Sequence, residues 1–204
     1  MNHKFSTINT AIDALKQGKI IILVDDIHRE NEGDFVMAAE FATAATINTM
    51  ITLGKGLICA PISEDKAKQL SLPLMVQTNT ETFRTAFTIS VDVKSNTTGI
   101  SAQERADTLN QLASPLAKPD DFLRPGHIFP LIGKPGGVHT RPGHTEASLD
   151  LMQRAGLHPV AVICEIILPD GSMARRDDLF RLAKELKMPI IDISQLMKPL
   201  GGQS

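Results

Sequence analysis

The 204-residue chain has no tryptophan and no tyrosine, and its eight phenylalanines are its only large aromatic side chains. Platforms that stack bases or sugars need such side chains, so aromatic recognition is disfavoured and a polar site is expected. Cysteine is equally scarce. Cys59 and Cys164 lie far apart inside apolar runs, with no C-x-x-C spacing. That excludes a disulfide framework and points to a reducing, cytoplasmic setting. Charge of one sign is lacking too: 21 basic against 23 acidic residues leaves a net charge of −2. There is thus no electrostatic case for nucleic acid or an anionic membrane. The apolar run nearest the N-terminus, Ile20–Val24, is too short for a signal-peptide core or a membrane span. Small molecules and other subunits remain as partners.

What is present is ordinary in bulk, with 42% hydrophobic and 22% charged residues. Such a chain builds one sizeable core, and no repeat or linker divides it, so a single domain over residues 1–204 is expected. Ile8, Ala11, Ile12 and Leu15 stand at helical spacing before Gly18. Ile20–Val24 reads as a buried strand and Phe35–Ala39 as the next. A helix over 44–53, a strand over 57–62 and a short helix from Ser63 follow. Alternation over Phe87–Asp92 predicts a strand with one wetter face. Ser101 and Glu104 have capping-box spacing for a helix reaching about Leu112. Residues 113–143 are rich in Pro and Gly and predict irregular backbone around one strand, Ile128–Ile132. The last third predicts a helix over 146–155, a strand over 160–168, a turn at Pro169-Asp170-Gly171, a helix around Leu179–Leu186 and a strand over 190–193. The fold class is α+β, a mixed sheet flanked by helices.

Chemistry concentrates in a few places. His28-Arg29-Glu30-Asn31-Glu32-Gly33-Asp34 follows the Ile20–Val24 strand with no face to bury, and Gly33 gives its backbone room to bend. It reads either as a solvated loop or as a reactive one. Arg141-Pro142-Gly143-His144-Thr145-Glu146 precedes a helix expected to begin near Glu146. A helix N-terminus, a glycine, a hydroxyl and a guanidinium suit an anion such as phosphate, although a threonine N-cap beside an incidental arginine reads the same way. His144 with a carboxylate from the 30–34 loop makes a thin ligand set of a kind that holds Mg²⁺ together with water and substrate. Glu165 lies within the apolar run Val160–Leu168, where a strand covered on both faces would bury it. It must then meet a partner, take up a proton or face a polar cavity, and the last suits a general acid or base of raised pKa. His127, after Arg124-Pro125-Gly126, stands at a strand mouth, whereas His28, His139 and His158 read as surface residues.

Taken together, Arg29–Asp34, Thr85-Ala86-Phe87-Thr88, Thr97-Thr98-Gly99-Ile100-Ser101, Arg124–His127, Arg141–Glu146 and Ile163-Cys164-Glu165 closely resemble the 3,4-dihydroxy-2-butanone 4-phosphate synthase family. The resemblance spans about residues 6–195. It implies a lyase of riboflavin biosynthesis that converts D-ribulose 5-phosphate to L-3,4-dihydroxy-2-butanone 4-phosphate and formate. It also implies dependence on Mg²⁺ or Mn²⁺, and a homodimer with sites at the subunit interface. By position, Glu30 and His144 match the family's metal ligands and His127 and Glu165 its catalytic positions. Arg29, Glu30, Asp34, Arg141, Pro142, Gly143, His144 and Thr145 match its substrate contacts. Ile27, His28, His139 and Pro142 depart from the usual pattern. Many relatives continue into a fused GTP cyclohydrolase II domain, so a stand-alone form is expected here. The runner-up reading is another metal-dependent phosphosugar aldolase or isomerase.

Overall fold

The computed structural model describes residues 4–197, so the outermost residues of the expected 1–204 domain lie outside it. Four strands carry a run of side chains buried on both faces: β1 (Ile21–Val24), β2 (Gly33–Ala38), β3 (Cys59–Ile62) and β6 (Ala161–Glu165). β4 (Val91–Val93) and β5 (Phe122–Ile132) close one edge and β7 (Ile190–Asp192) the other. The sheet order is β4-β5-β3-β6-β2-β1-β7. β1–β7 and β3–β5 are parallel, and the remaining neighbours are antiparallel.

Alternation along the strands divides the core in two. Ile22, Val24, Phe35, Met37, Val162 and Cys164 face α2 (Ala44–Thr49), α4 (Ala102–Ala113) and α6 (Arg176–Leu186). Ile21, Leu23, Val36, Ala38, Ala161 and Ile163 face α1 (Ile8–Lys16) and α5 (His144–Ala155). The short α3 (Glu64–Gln69) starts at Ser63 and joins the first layer through Ala67. Burial on both faces explains why these strands read as continuous apolar runs, each large side chain contributing about 1.5–3 kcal/mol. The mixed α+β architecture expected from the sequence is the one observed.

Several local expectations change. Gly33 and Asp34 belong to β2 and not to the loop. The left-handed residue is Asn31, at φ 54°. A Cβ at Gly33 would stand 2.5 Å from Leu179 Cδ1, so this glycine serves close packing and not bending. The alternating segment 87–92 yields only β4, with Phe87 and Thr88 making isolated bridges to Leu131 and Leu74. β5 begins at Phe122, well before Ile128, because its ladder accommodates Pro125 and Gly126 in a register shift opposite Val91/Asp92. β6 ends at Glu165, short of Leu168.

Candidate active site

The loop leaving β1 is organised by Asp25, which is fully buried. Its carboxylate accepts hydrogen bonds from Arg29 Nη1 (3.0 Å) and the backbone N–H groups of Glu30 (3.1 Å) and Glu32 (2.9 Å). Such saturation offsets the cost of burying the charge. Arg175, the N-cap residue before α6, clamps the loop from outside, donating to the carbonyls of Glu30 (2.8 Å) and Asn31 (2.6 Å). The loop is therefore a built turn and not a solvated charge run. Asn31 supplies its left-handed residue.

That turn points Glu30 at the start of α5. Glu30 Oε1 lies 2.8 Å from Arg29 Nη1, and Oε2 lies 3.5 Å from His144 Nδ1. Contrary to the expected helix start, α5 begins at His144 with Gly143 as N-cap and no side-chain cap. Thr145 is thus not the cap. The first N–H groups of α5 have no intrahelical partner and carry the positive end of the helix dipole. Two guanidiniums converge beside them: a Cβ at Gly143 would stand 2.4 Å from Arg141 Nη1 and 3.0 Å from Arg29 Nη2. Phe83 backs this corner, with Arg29 stacked 4.9 Å from its ring centroid. The arrangement is an anion cradle.

On the next strands Asp34 and Glu165 are cross-strand partners in the β2–β6 register, facing the same layer as Ile163. Glu165 does not lie in the middle of a covered strand as expected. It sits half-buried at the strand end, where Oε2 accepts the backbone N–H of Leu57 at 2.8 Å. A Cβ at Gly56 would come within 2.4 Å of that oxygen. Asp34 is the buried carboxylate. Burial pushes its pKa up to about 7, opposed by the His144 charge and reinforced by Glu165, Glu30 and Glu32. Burial works to lower the pKa of His144, but Asp34, Glu30 and Asp25 outweigh it and raise the ring to about 9. For Glu30 burial acts upward, yet the His144 hydrogen bond and the charges of His144, Arg29 and Arg141 hold it below the usual carboxylate range. Glu32 is raised by burial and by Glu30.

These shifts set a pH dependence. His144 binds its proton more tightly folded than unfolded, so its contribution is complete below about pH 6.5 and is lost as pH climbs through about 9. Asp34, raised from 3.8, adds a penalty that grows up to about pH 7, in the same direction. With chelator present, the melting temperature is expected to fall between pH 6.5 and 9. Calorimetry showing it flat or rising there contradicts the assignment.

Arg29, Glu30, Glu32, Asp34, Glu81, Phe83, Thr85, Arg141, His144, Thr145 and Glu165 line one cavity of about 260 Å³. Its size suits a small metabolite and not a dinucleotide. Pro142 is exposed and His127 stands on β5, and neither lines it. Asp25, Glu30 and His144 offer ligand atoms within 4.8 Å of one another, and His144 Nε2 is buried without a hydrogen-bond partner. Hard oxygens and an orphan imidazole nitrogen fit a divalent cation. The sequence reading missed Asp25, Glu81 and Phe83. Asp25 was discoverable, since a carboxylate directly after a fully buried strand has to be satisfied locally; Glu81 and Phe83 lie in aperiodic backbone that carries no such signal. Cys59 also lines the cavity, its thiol pKa pushed up by burial, in keeping with an inert buried side chain.

Known proteins resemble the chain over nearly its whole length. The riboflavin biosynthesis protein RibBA of Bacillus cytotoxicus is 55% identical over 193 residues, 95% of this chain and 49% of the relative. That of Bacillus mycoides is 54% identical with the same coverage. The chain thus spans about half the length of these curated relatives. Among solved structures, a 3,4-dihydroxy-2-butanone 4-phosphate synthase in complex with two magnesium ions superposes with a TM-score of 0.91 at 40% identity, covering 94% of this chain and 95% of that one. The Candida albicans synthase gives 0.88 at 45%, covering 95% and 96%. The family model described as 3,4-dihydroxy-2-butanone 4-phosphate synthase matches residues 9–199, and the chain belongs to that family.

Proposed function

We propose that the chain forms one synthase domain that converts D-ribulose 5-phosphate to L-3,4-dihydroxy-2-butanone 4-phosphate and formate, a lyase step of riboflavin biosynthesis. The observation that carries this is one small cavity uniting an anion cradle, a cation ligand set and the Asp34–Glu165 carboxylate pair. Arg29, Arg141, Gly143, Thr145 and the α5 N-terminus hold the substrate phosphate and orient the sugar. The flanking Pro142 shapes the turn. Asp34, poised near neutral pH, and Glu165 beside it hold and move protons at the sugar carbons. Glu30 and His144, with Asp25 adjacent, would hold Mg²⁺ or Mn²⁺. An ion of the kind the relative holds in its magnesium complex would supply Lewis-acid stabilisation of negative charge developing on the sugar oxygens.

His127 is a further catalytic residue of this reading, yet it does not line the cavity of its own chain. A homodimer in which a second copy completes the site accounts for that. Exposed Leu74, Met75 and Val76 on the segment leading to Phe83 favour such covering. No described helix is long and apolar enough to cross a membrane. The two cysteines are free and buried, which suits the cytoplasm, and nothing in the charge favours nucleic acid.

The test is to incubate the protein with ribulose 5-phosphate and Mg²⁺ and follow formate by ¹H NMR. Formate release, its arrest by EDTA and its recovery with Mg²⁺ or Mn²⁺ are expected. A C5 isomer or epimer without formate would favour the isomerase or aldolase alternative. Undiminished turnover in excess EDTA removes the metal.

A further inference from the structure

We propose that Leu57 is the positioning residue for Glu165, its backbone N–H fixing Oε2 so that Oε1 is the oxygen presented to substrate. The inference rests on the reading of Glu165 as catalytic. Just upstream of β3 the chain bridges Ile166 at Lys55, and within β3 it pairs with Ile163 at Cys59. Between those two pairings residues 56–58 stand against only Cys164 and Glu165, so the first strand carries one extra residue. A bulge of this kind takes backbone N–H groups out of the ladder and leaves them to find other partners. The Leu57 N–H finds the Glu165 carboxylate, 2.8 Å from Oε2.

The local chain is built for that approach. α2 runs on into a π-turn, Met50–Gly54, a rare element found mostly at functional sites. Lys55 then turns left-handed at φ 67°, its N–H on the Met50 carbonyl, and the Gly54 carbonyl accepts the Ile167 N–H at 2.8 Å. This lays two glycines across the end of β6. A Cβ at Gly54 would stand 3.0 Å from the Glu165 carbonyl oxygen, and one at Gly56 2.6 Å from the same oxygen and 2.4 Å from Oε2. Gly56 has no room for a side chain and Gly54 little. The Leu57 side chain, by contrast, is 42% exposed, so what this residue supplies to the site is its N–H.

The tie matters because Glu165 has somewhere else to go. Half-buried at a strand end, it borders both the candidate active-site cavity and a second recess of about 520 Å³ lined also by Lys55, Ile167 and Met173. An untethered carboxylate would divide its time between the two, drawn toward Lys55 in the second. A backbone amide is a rigid donor, and its bond to a carboxylate is among the stronger ones. Among the described residues Oε1 accepts no hydrogen bond, so tying Oε2 holds the side chain while leaving one oxygen to react.

Replacing Leu57 by its α-hydroxy acid through nonsense suppression exchanges the N–H for an ester oxygen and keeps the side chain; the same codon loaded with leucine is the parent. Formate release should then lose about 10–100-fold in kcat with KM little changed. The melting temperature should stay near that of the parent. Glu165→Asp draws the carboxylate back by about 1.5 Å, out of reach of the amide, and in that background the ester should change kcat by less than about twofold. An ester that costs Glu165→Asp as much as it costs the parent acts through the fold and overturns the positioning. So does an ester variant with kcat within about twofold of the parent. The Leu57 amide proton should also move upfield in Glu165→Asp. One that stays in place shows that Glu165 was not its partner and overturns the tie, even if the ester variant fails to fold. Glu165→Ala turning over at the parental rate instead sinks the catalytic reading of Glu165, and with it any effect of Leu57 on rate.

Discussion

Replacing Glu30 with alanine is expected to cut formate release by at least about a thousandfold, roughly 4 kcal/mol of transition-state stabilisation. The side chain touches Arg29 through one oxygen and approaches His144 through the other. Its loss empties the middle of the Asp25–Glu30–His144 ligand set, and first ligands are not replaced by solvent at comparable affinity. The fold should survive. The backbone at this position is held by Asp25 accepting the Glu30 N–H and by Arg175 donating to the Glu30 carbonyl, and neither bond uses the Glu30 side chain. The expected result is therefore an inactive protein whose melting temperature moves by no more than a few degrees and whose Mg²⁺ binding by calorimetry is lost. Full activity in this variant would refute the metal role of Glu30.

Arg141→Ala should damage stability and binding together, and a second variant tells the two apart. Arg141 Nη1 lies 2.7 Å from Glu146 Oε2, and the Glu146 side chain is 1% exposed. The other Glu146 oxygen accepts the Lys134 N–H at 3.1 Å. Arg141 Nη2 reaches Thr85 Oγ1 at 3.0 Å and Nε the Phe83 carbonyl at 3.2 Å. Deleting the guanidinium leaves a buried carboxylate without its counter-charge, at a cost of about 3–5 kcal/mol. For a chain of this size that is a fall of about 6–20 °C in melting temperature. Pairing Arg141→Met with Glu146→Gln removes the orphaned charge, so most of the stability should return. The raised KM for ribulose 5-phosphate should not, if the remaining donor face of Arg141 holds phosphate. Recovery of both in the double variant would reduce Arg141 to a partner of Glu146.

Much of the fold was legible because burial leaves local marks. Ile20–Val24 and Val160–Cys164 are apolar on both faces, as strands inside a helix-covered sheet must be. Ser101 and Glu104 form the capping box their spacing implied. Failures fell where a nonlocal contact overrode a local signal. Pro125 and Gly126 read as breakers, yet β5 runs through them because Ser90 and Asp92 satisfy the amides released by the bulge. Gly33 read as a hinge, yet it is a packing position under Leu179. The helix after Arg141 read as starting near Glu146, yet α5 starts at His144, putting that imidazole in the first turn beside Glu30.

The amino-acid order alone determined which chemical groups this protein owns and the neighbourhoods they occupy: the acidic turn after β1, the Arg141–Thr145 helix start and the carboxylate in the apolar run ending at Glu165. It also carried the motifs that mark the family. Tertiary structure decided which of those groups act on one another. Antiparallel pairing of β2 with β6 sets Asp34 opposite Glu165. The turn built on Asp25 carries Glu30 to His144, and the β5 bulge hands His127 to Asp92 and keeps it out of its own chain's cavity. The reason is electrostatic: proton affinity and ligand geometry depend on distances of a few ångströms between charges remote in sequence, and on the water that burial removes. Those quantities exist only once the chain has folded.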